Sequence, residues 1–451
     1  MKANIYDTIV APATKITKQA ITIIRLSGTK AFKITNSILK KALEYKNDQQ
    51  LRKIYDNDKL IDEALVITFI NDRSFTGEDT VEINCHGGVL LANKILSLLI
   101  ENGARTAQPG EFSQRAFING KINLLQAEGI NNLIESKNEL SIKINALNAI
   151  GKSNQGIMEI KEILIDVISK IQTAIDYPDY DDIEEASHKD IKTALFKLRL
   201  KINKIIENSQ KATKINDGIN TLILGNTNTG KSSLLNALIS KEKAIVSDVP
   251  GTTRDVIEAE VNFNNFTLNL MDTAGIRKTI NTVEKIGIEK SLKLIKTADL
   301  ILFVIDEKNI NKELFKKIKH KNYIVIVNKA DLLTSKKKEK FLELFSNVVF
   351  TCAKNNQIDE LITYIKQMWN NENLLLTEDV TILTNINNIA QLKVVLKNIN
   401  YAIKNLDAGF SVDIINIDLY ESLDNINNIL GIIDGDEEII NNIFKKYCLG
   451  K

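Results

Sequence analysis

Along this chain the spacing of apolar positions changes three times, and each change marks a different kind of element. Up to about residue 119 the pattern is mixed. Ile21-Thr22-Ile23-Ile24-Arg25-Leu26 and Ala64-Leu65-Val66-Ile67-Thr68-Phe69 read as strands, and Leu90 to Ile100 as a helix. From about 121 to 213 the period becomes helical: Ile157, Ile160, Leu164, Val167, Ile168, Ile171 and Ala174 share one face, a stripe suited to core packing. Asp176-Tyr177-Pro178 then breaks that helix, because proline has no amide proton to continue the ladder.

Between 219 and 370, short apolar strands at 219–224, 266–271, 300–305, 323–327 and 348–350 alternate with helices, the signature of a doubly wound parallel sheet. After about 372 helical spacing returns, with Ile386, Ile389, Leu392, Leu396, Ile399 and Ile403 on one face. Two helical segments around an α/β module predict one helical domain with the module inserted in it.

Composition changes this picture little. A chain of 451 residues is too long for one compact core, and 44% hydrophobic with 26% charged residues is ordinary for a soluble protein. A net charge of +2 gives no chain-wide attraction to nucleic acid or membrane, so any nucleic-acid contact is local or delegated to a partner. Cys85, Cys352 and Cys448 form no CxxC pair, and with three histidines a structural zinc site is not expected. A reducing, cytoplasmic location with no membrane span is the expectation, since the longest apolar runs, such as 300–305, are far short of the ~20 residues of a spanning helix. Adjacent Cys85 and His86 point to opposite faces of a strand, so Cys85 reads as core.

Chemistry enters at Gly225-Asn226-Thr227-Asn228-Thr229-Gly230-Lys231-Ser232, followed by Ser233, directly after a strand and before a helix. This is a phosphate-binding loop: glycines let the backbone wrap phosphates, Lys231 reaches the β- and γ-phosphates, and the Ser232 hydroxyl suits Mg²⁺. Asp272-Thr273-Ala274-Gly275 ends the next long strand and puts a carboxylate near Mg²⁺ and an amide near the γ-phosphate. Asn328-Lys329-Ala330-Asp331 ends another, and its Asp331 can accept two hydrogen bonds from guanine that adenine cannot offer. Cys352-Ala353-Lys354 backs the base after the last strand. The residue after Gly275 is Ile276, which cannot orient water as a glutamine would, so hydrolysis needs another residue. No GxG pair exists among the twenty glycines, so the dinucleotide-binding fingerprint is absent.

Ala244-Ile245-Val246-Ser247-Asp248-Val249-Pro250-Gly251-Thr252-Thr253-Arg254-Asp255 carries the GTTRD switch of one GTPase group. With it stand Ser74-Phe75-Thr76-Gly77-Glu78-Asp79, His86-Gly87-Gly88, Pro109-Gly110-Glu111-Phe112 and Arg115-Ala116-Phe117. Asn119-Gly120-Lys121-Ile122-Asn123-Leu124-Leu125-Gln126-Ala127-Glu128 and Cys448-Leu449-Gly450-Lys451 complete the set. On these segments the chain resembles, end to end, the MnmE (TrmE) family of tRNA modification GTPases.

That resemblance implies a multidomain α+β and α/β protein. An N-terminal folate-binding and dimerisation domain would cover 1–119, a discontinuous helical domain 120–213 and 372–451, and an inserted Ras-like GTPase domain 214–371. It implies a homodimer that works with a flavin-dependent MnmG/GidA-like protein as a heterotetramer, modifying carbon 5 of the wobble uridine in the tRNA anticodon region. A 5-formyl-tetrahydrofolate or related folate would supply the one-carbon unit. Position by position, Arg25, Glu82, Lys121 and Lys451 match folate contacts; Asn228, Ser247, Val249 and Thr252 the K⁺ shell; Ser232 and Thr253 the Mg²⁺ ligands; and Glu284 the residue that positions water. Cys448 would be a thiol near the one-carbon group. The chain departs from the family at residues 13–20, where a Gly/Pro-rich turn is replaced by Ala13-Thr14-Lys15-Ile16-Thr17-Lys18-Gln19-Ala20. The rival readings are a GTP-gated RNA or ribosome assembly factor, which would lack the N-terminal block, and a folate enzyme with a degenerate GTPase module, which intact Lys231, Asp272 and Asp331 oppose.

Overall fold

The structure, a computed structural model, describes residues 7–176, 181–226, 228–241, 257–271, 294–307, 310–369, 381–411, 413–432 and 450; the side chains of 181–188 and 257–258 are also outside the description. The chain forms two compact units, residues 1–131 with 424–451, and residues 132–423.

The first unit is built on strands β1 (Ile9–Pro12), β2 (Ile21–Ser27), β3 (Asp48–Asp56), β4 (Lys59–Phe69), β5 (Thr80–His86) and β6 (Arg105–Thr106). They pair in the order β3-β4-β5-β2-β1-β6, antiparallel except where β1 meets β6. Strand side chains alternate between faces. Ile24, Leu26, Val66, Val81, Ile83 and Cys85 therefore share one face and pack on the helices Ala31–Asn36 and Val89–Glu101 through Ile34, Ile95 and Leu99. The same alternation places Arg25 and Glu82, cross-strand neighbours in the β2–β5 register, on the other face. Cys85 is buried and His86 exposed, with the His86 ring bonded to Asp62 at 2.7 Å.

The second unit combines helices Glu139–Ala149, Lys152–Asp176, Asp181–Asp217 and Ile386–Asp407 with a second sheet. Its strands are β7 (Ile219–Leu224), β8 (Ile257–Asn262), β9 (Thr267–Met271), β10 (Leu300–Ile305), β11 (Tyr323–Asn328) and β12 (Val348–Thr351). The order is β12-β11-β10-β7-β9-β8, parallel except for β8. The stripe from Ile157 to Ile171 is buried, with Ala174 only partly so; the helix is described to Asp176, and Tyr177 and Pro178, where the sequence would break it, lie outside the described residues. On Ile386–Asp407 the buried face includes Ile389, Leu392, Ile399 and Ile403, joined by Val395. Ile386 is 64% exposed because it is the first residue after the Asn385 cap, before the helix reaches its packing partners.

One asparagine, among several contacts, joins the helical and α/β parts of this unit. Asn138 caps helix Glu139–Ala149 by accepting from the Ser141 amide, and its own amide donates to the Ile215 carbonyl at 3.0 Å and to Thr267 at 3.3 Å.

Candidate nucleotide and N-terminal sites

In the second sheet, β7 lies between β9 and β10, so the loop after β7 sits where the chain direction of build-up reverses, the place where such sheets hold ligands. All the strand-end motifs that the structure describes converge there. A Cβ at Gly225 would lie 2.1 Å from the Val304 carbonyl oxygen, at φ +152°, so only glycine lets the loop pass this close over β10. The helix Lys231–Lys241 that follows is fixed by buried Leu234, Ala237 and Leu238, leaving Ser232 and Ser233 exposed on its first turn. Lys231 donates to the Gly225 carbonyl at 2.8 Å and also to that of Asn226.

Asn328 is the keystone. It is 4% exposed; its amide donates to the Thr229 carbonyl at 2.9 Å, and its carbonyl accepts from the Ala353 amide at 3.1 Å and the Thr351 hydroxyl at 3.3 Å. One side chain thus ties the phosphate loop to the Cys352-Ala353-Lys354 segment. Lys329 has φ 59°, left-handed for a non-glycine residue, and its ammonium donates to the Asn228 carbonyl at 2.8 Å and to Asp306 at 3.0 Å. Asn228, itself at φ 65°, is exposed. Burial, together with a hydrogen bond to the Asp331 carboxylate, raises the Cys352 thiol above its ordinary value, so Asp331 and the Cys352-Ala353-Lys354 segment stand side by side. Strand ends far apart in sequence therefore bring Asn228, Thr229, Gly230, Lys231, Asn328, Lys329, Asp331, Cys352 and Ala353 to one place.

Ser247, Asp248, Val249, Pro250, Gly251, Thr252, Thr253, Asp272, Thr273, Ala274, Gly275 and Glu284 lie outside the described residues. Asp306, immediately after β10, is a participant that sequence reading missed. It is 9% exposed and ion-paired to Lys329. The only signal was its position at the end of an apolar strand. Asn311 is another, donating to Asn226 at 3.1 Å.

In the first unit, Arg25 donates to Glu82 at 2.7 Å and to the Gly450 carbonyl at 3.0 Å, with its guanidinium 5.7 Å from the Phe112 ring centre. Gly450 is buried, and a Cβ there would lie 2.3 Å from the Pro12 carbonyl oxygen at φ +91°, so a larger residue would lift this segment off β1. Lys121 instead passes alongside Gly77 and donates to the Asp72 carbonyl at 2.6 Å. Cys448 and Lys451 lie outside the described residues. The 13–20 segment is ordered by its own bonds: Thr14 accepts from the Ile23 amide at 3.0 Å, and Gln19 donates to the Lys15 carbonyl at 2.8 Å.

Beneath this face runs a charged network. Arg115, 3% exposed, bonds Asp7 at 2.7 Å, Glu78 at 3.1 Å and Glu111 at 3.1 Å, while Arg105 bonds Asp7 and Glu111, both at 2.6 Å. Burial works to raise the Asp7 and Glu111 carboxyls, but the arginine hydrogen bonds and charges outweigh it, and both sit below the usual carboxylate range.

Known proteins resemble this chain along its whole length. A family model described as GTP-binding protein TrmE N-terminus matches residues 8–121, and one described as MnmE helical domain matches 124–448. The tRNA modification GTPase MnmE of Mycoplasma mycoides subsp. mycoides SC is 50% identical over 99% of this chain and 100% of its own length. Those of Mesoplasma florum and Ureaplasma parvum serovar 3 are 48% and 42% identical over the same shares. With a phosphate loop, a guanine-type asparagine clasp and this full-length likeness in hand, the chain belongs to the MnmE (TrmE) family of tRNA modification GTPases.

Proposed function

We propose that this GTPase is K⁺-activated and serves tRNA modification as a folate-using homodimer in the cytoplasm, in a heterotetramer with a flavin-dependent MnmG/GidA-like protein. In this reading Asp331 selects guanine and Lys231 meets the β- and γ-phosphates. Ser232 and Thr253 hold Mg²⁺, and Glu284 positions the attacking water in place of the missing glutamine. Asn228, Ser247, Val249 and Thr252 hold K⁺. Asn228 fits that role by its place: it is exposed beside the phosphate loop, with its backbone fixed by Lys329. A bound K⁺ supplies positive charge that offsets the negative charge developing on the phosphates.

Arg25, Glu82, Lys121 and Lys451 are the folate contacts in the same reading. A guanidinium and a carboxylate, 2.7 Å apart and only partly buried, fit a ligand carrying both carboxylates and an amino-pterin ring. A bound one-carbon folate supplies the carbon destined for carbon 5 of the wobble uridine. The protein's part is to fix the folate's orientation and to keep water from it.

The observation that supports this proposal is the seat of Gly450 on Arg25, the residue that also holds Glu82. Removing residues 448–451 is expected to abolish wobble-uridine modification in the presence of the flavin partner, with GTP hydrolysis close to parental. In Na⁺ at equal ionic strength, both proteins should hydrolyse GTP at least about tenfold more slowly than in K⁺, equivalent to ~1.4 kcal/mol of barrier. Full modification by the truncated protein would remove the folate assignment, and equal rates in the two salts would remove the K⁺ assignment.

A further inference from the structure

Away from both sites, a dense run of one-sign charge lies on one face of the second sheet. Helix Lys312–Ile318 links β10 to β11, and helix Ser335–Leu344 links β11 to β12. Both lie on the same side, because Leu314, Phe315, Ile318, Phe341 and Phe345 join one apolar cluster, with the Phe315 and Phe345 rings edge-on at 5.1 Å. Their outward positions are lysines. Lys312, Lys316 and Lys319 are exposed along the first, and Lys336, Lys337 and Lys340 along the second.

From 312 to 340 ten lysines face only Glu313, Asp331 and Glu339, a surplus of seven in a chain whose total is +2. Elsewhere, therefore, the chain is net acidic. Among the described residues Lys337 pairs with Glu307, whereas Lys312, Lys316, Lys319, Lys336 and Lys340 form no ion pair. The helices on the opposite side of the sheet carry no such surplus: Lys231, Lys241 and Lys366 stand with Asp359 and Glu360, and Lys241 is paired to Asp359. Solubility alone is served by interspersed charges of both signs, as that opposite side has; a one-sign face produces a field that gathers polyanions.

We propose that the face formed by helices Lys312–Ile318 and Ser335–Leu344 docks the phosphate backbone of the tRNA. The inference rests on the reading that this chain itself touches the tRNA it helps to modify. Lysine ammoniums are point charges that engage phosphates without reading bases, so this face would position the RNA and leave choice of base to another site. Lys312 and Lys316, and Lys336 and Lys340, lie four residues apart, about 6 Å along each helix axis, which lets neighbouring ammoniums share one strand.

The test uses the full chain with K312Q, K316Q, K319Q, K336Q and K340Q combined, and fluorescently labelled tRNA titrated over a series of salt concentrations. None of these lysines belongs to the nucleotide machinery, so tRNA-independent GTP hydrolysis should match the parent and report an intact fold. The variant should bind tRNA at least tenfold more weakly at low salt. Its log–log salt slope should also be shallower, by about 0.7 to 0.9 for each phosphate that the variant no longer neutralises. The corresponding five-arginine variant should bind as the parent does. Parental binding with an unchanged variant overturns the docking face while leaving direct tRNA binding standing. A parent that does not bind tRNA at low salt overturns both, and a parent that binds anionic phospholipid vesicles but not tRNA assigns the face to a membrane surface instead.

Discussion

Asp306 shows what one unremarked residue can do. Its carboxylate holds the Lys329 ammonium, which in turn holds the Asn228 carbonyl, so a charge at the end of β10 reaches the phosphate loop through one side chain. If Asp306 acts through Lys329, its loss should have no further effect once Lys329 is gone. Asp306→Asn is expected to weaken GDP binding about five- to tenfold, roughly 1–1.4 kcal/mol, and to add little to Lys329→Met in the double variant. Nucleotide affinities for the four proteins decide it, and additive losses would separate Asp306 from the loop. Sequence alone exposed Asn328, Lys329 and Asp331 because their motif is spaced by the chemistry of guanine. Asp306 belongs to no motif, and its partner is 23 positions away, so only folding reveals it. Lys121 makes the converse point: a match by position does not fix where an ammonium goes, and here it meets the Asp72 carbonyl.

At the scale of elements, the period of apolar residues was the strongest guide. The strands at 219–224 and 300–305 and the apolar stripe from Ile157 to Ile171 coincide with the folded elements because their residues are buried together. Strands β3 and β8 were not legible. Each lies at a sheet edge, where one side of the ladder is open, and β3 alternates half-buried with exposed positions, so its sequence lacks an apolar run. The Asn138 clasp was likewise hidden, since a capping asparagine looks the same whether or not it also reaches a distant strand. Asn138→Ala removes the cap and both amide bonds, leaving the Ile215 carbonyl short of a buried donor. A loss of about 2–3 kcal/mol is expected in chemical denaturation, more than the ~1 kcal/mol of an ordinary cap. A loss no larger than an ordinary cap would mean the clasp contributes nothing beyond the helix.

For the whole molecule, the near-neutral total charge conceals an uneven distribution: a lysine-rich face in the second unit and a tightly paired network in the first. The network makes the first unit sensitive to acid. Carboxyls held low in the folded state contribute stability that is present above their unfolded values near 4 and is lost as pH falls through the lower folded values. Stability should therefore drop as pH falls from about 5 toward 2, and Glu111→Gln should flatten that drop while costing on the order of 2 kcal/mol at neutral pH. Unfolding curves at several pH values check both, and an Asp7-Glu111 network without influence would give parallel curves for the two proteins.

The Arg25–Gly450 contact also sets a clock. Its partners are 425 positions apart, so at translation rates of about 5–20 residues per second the ribosome adds the second roughly 20–85 s after the first. During that interval β2 and β5 can pair and Arg25 can find Glu82, but the site around them stays open on the side that Gly450 later covers. Each newly made molecule thus passes through a period in which its GTPase unit is already fully synthesised while its N-terminal site still waits for the chain to return.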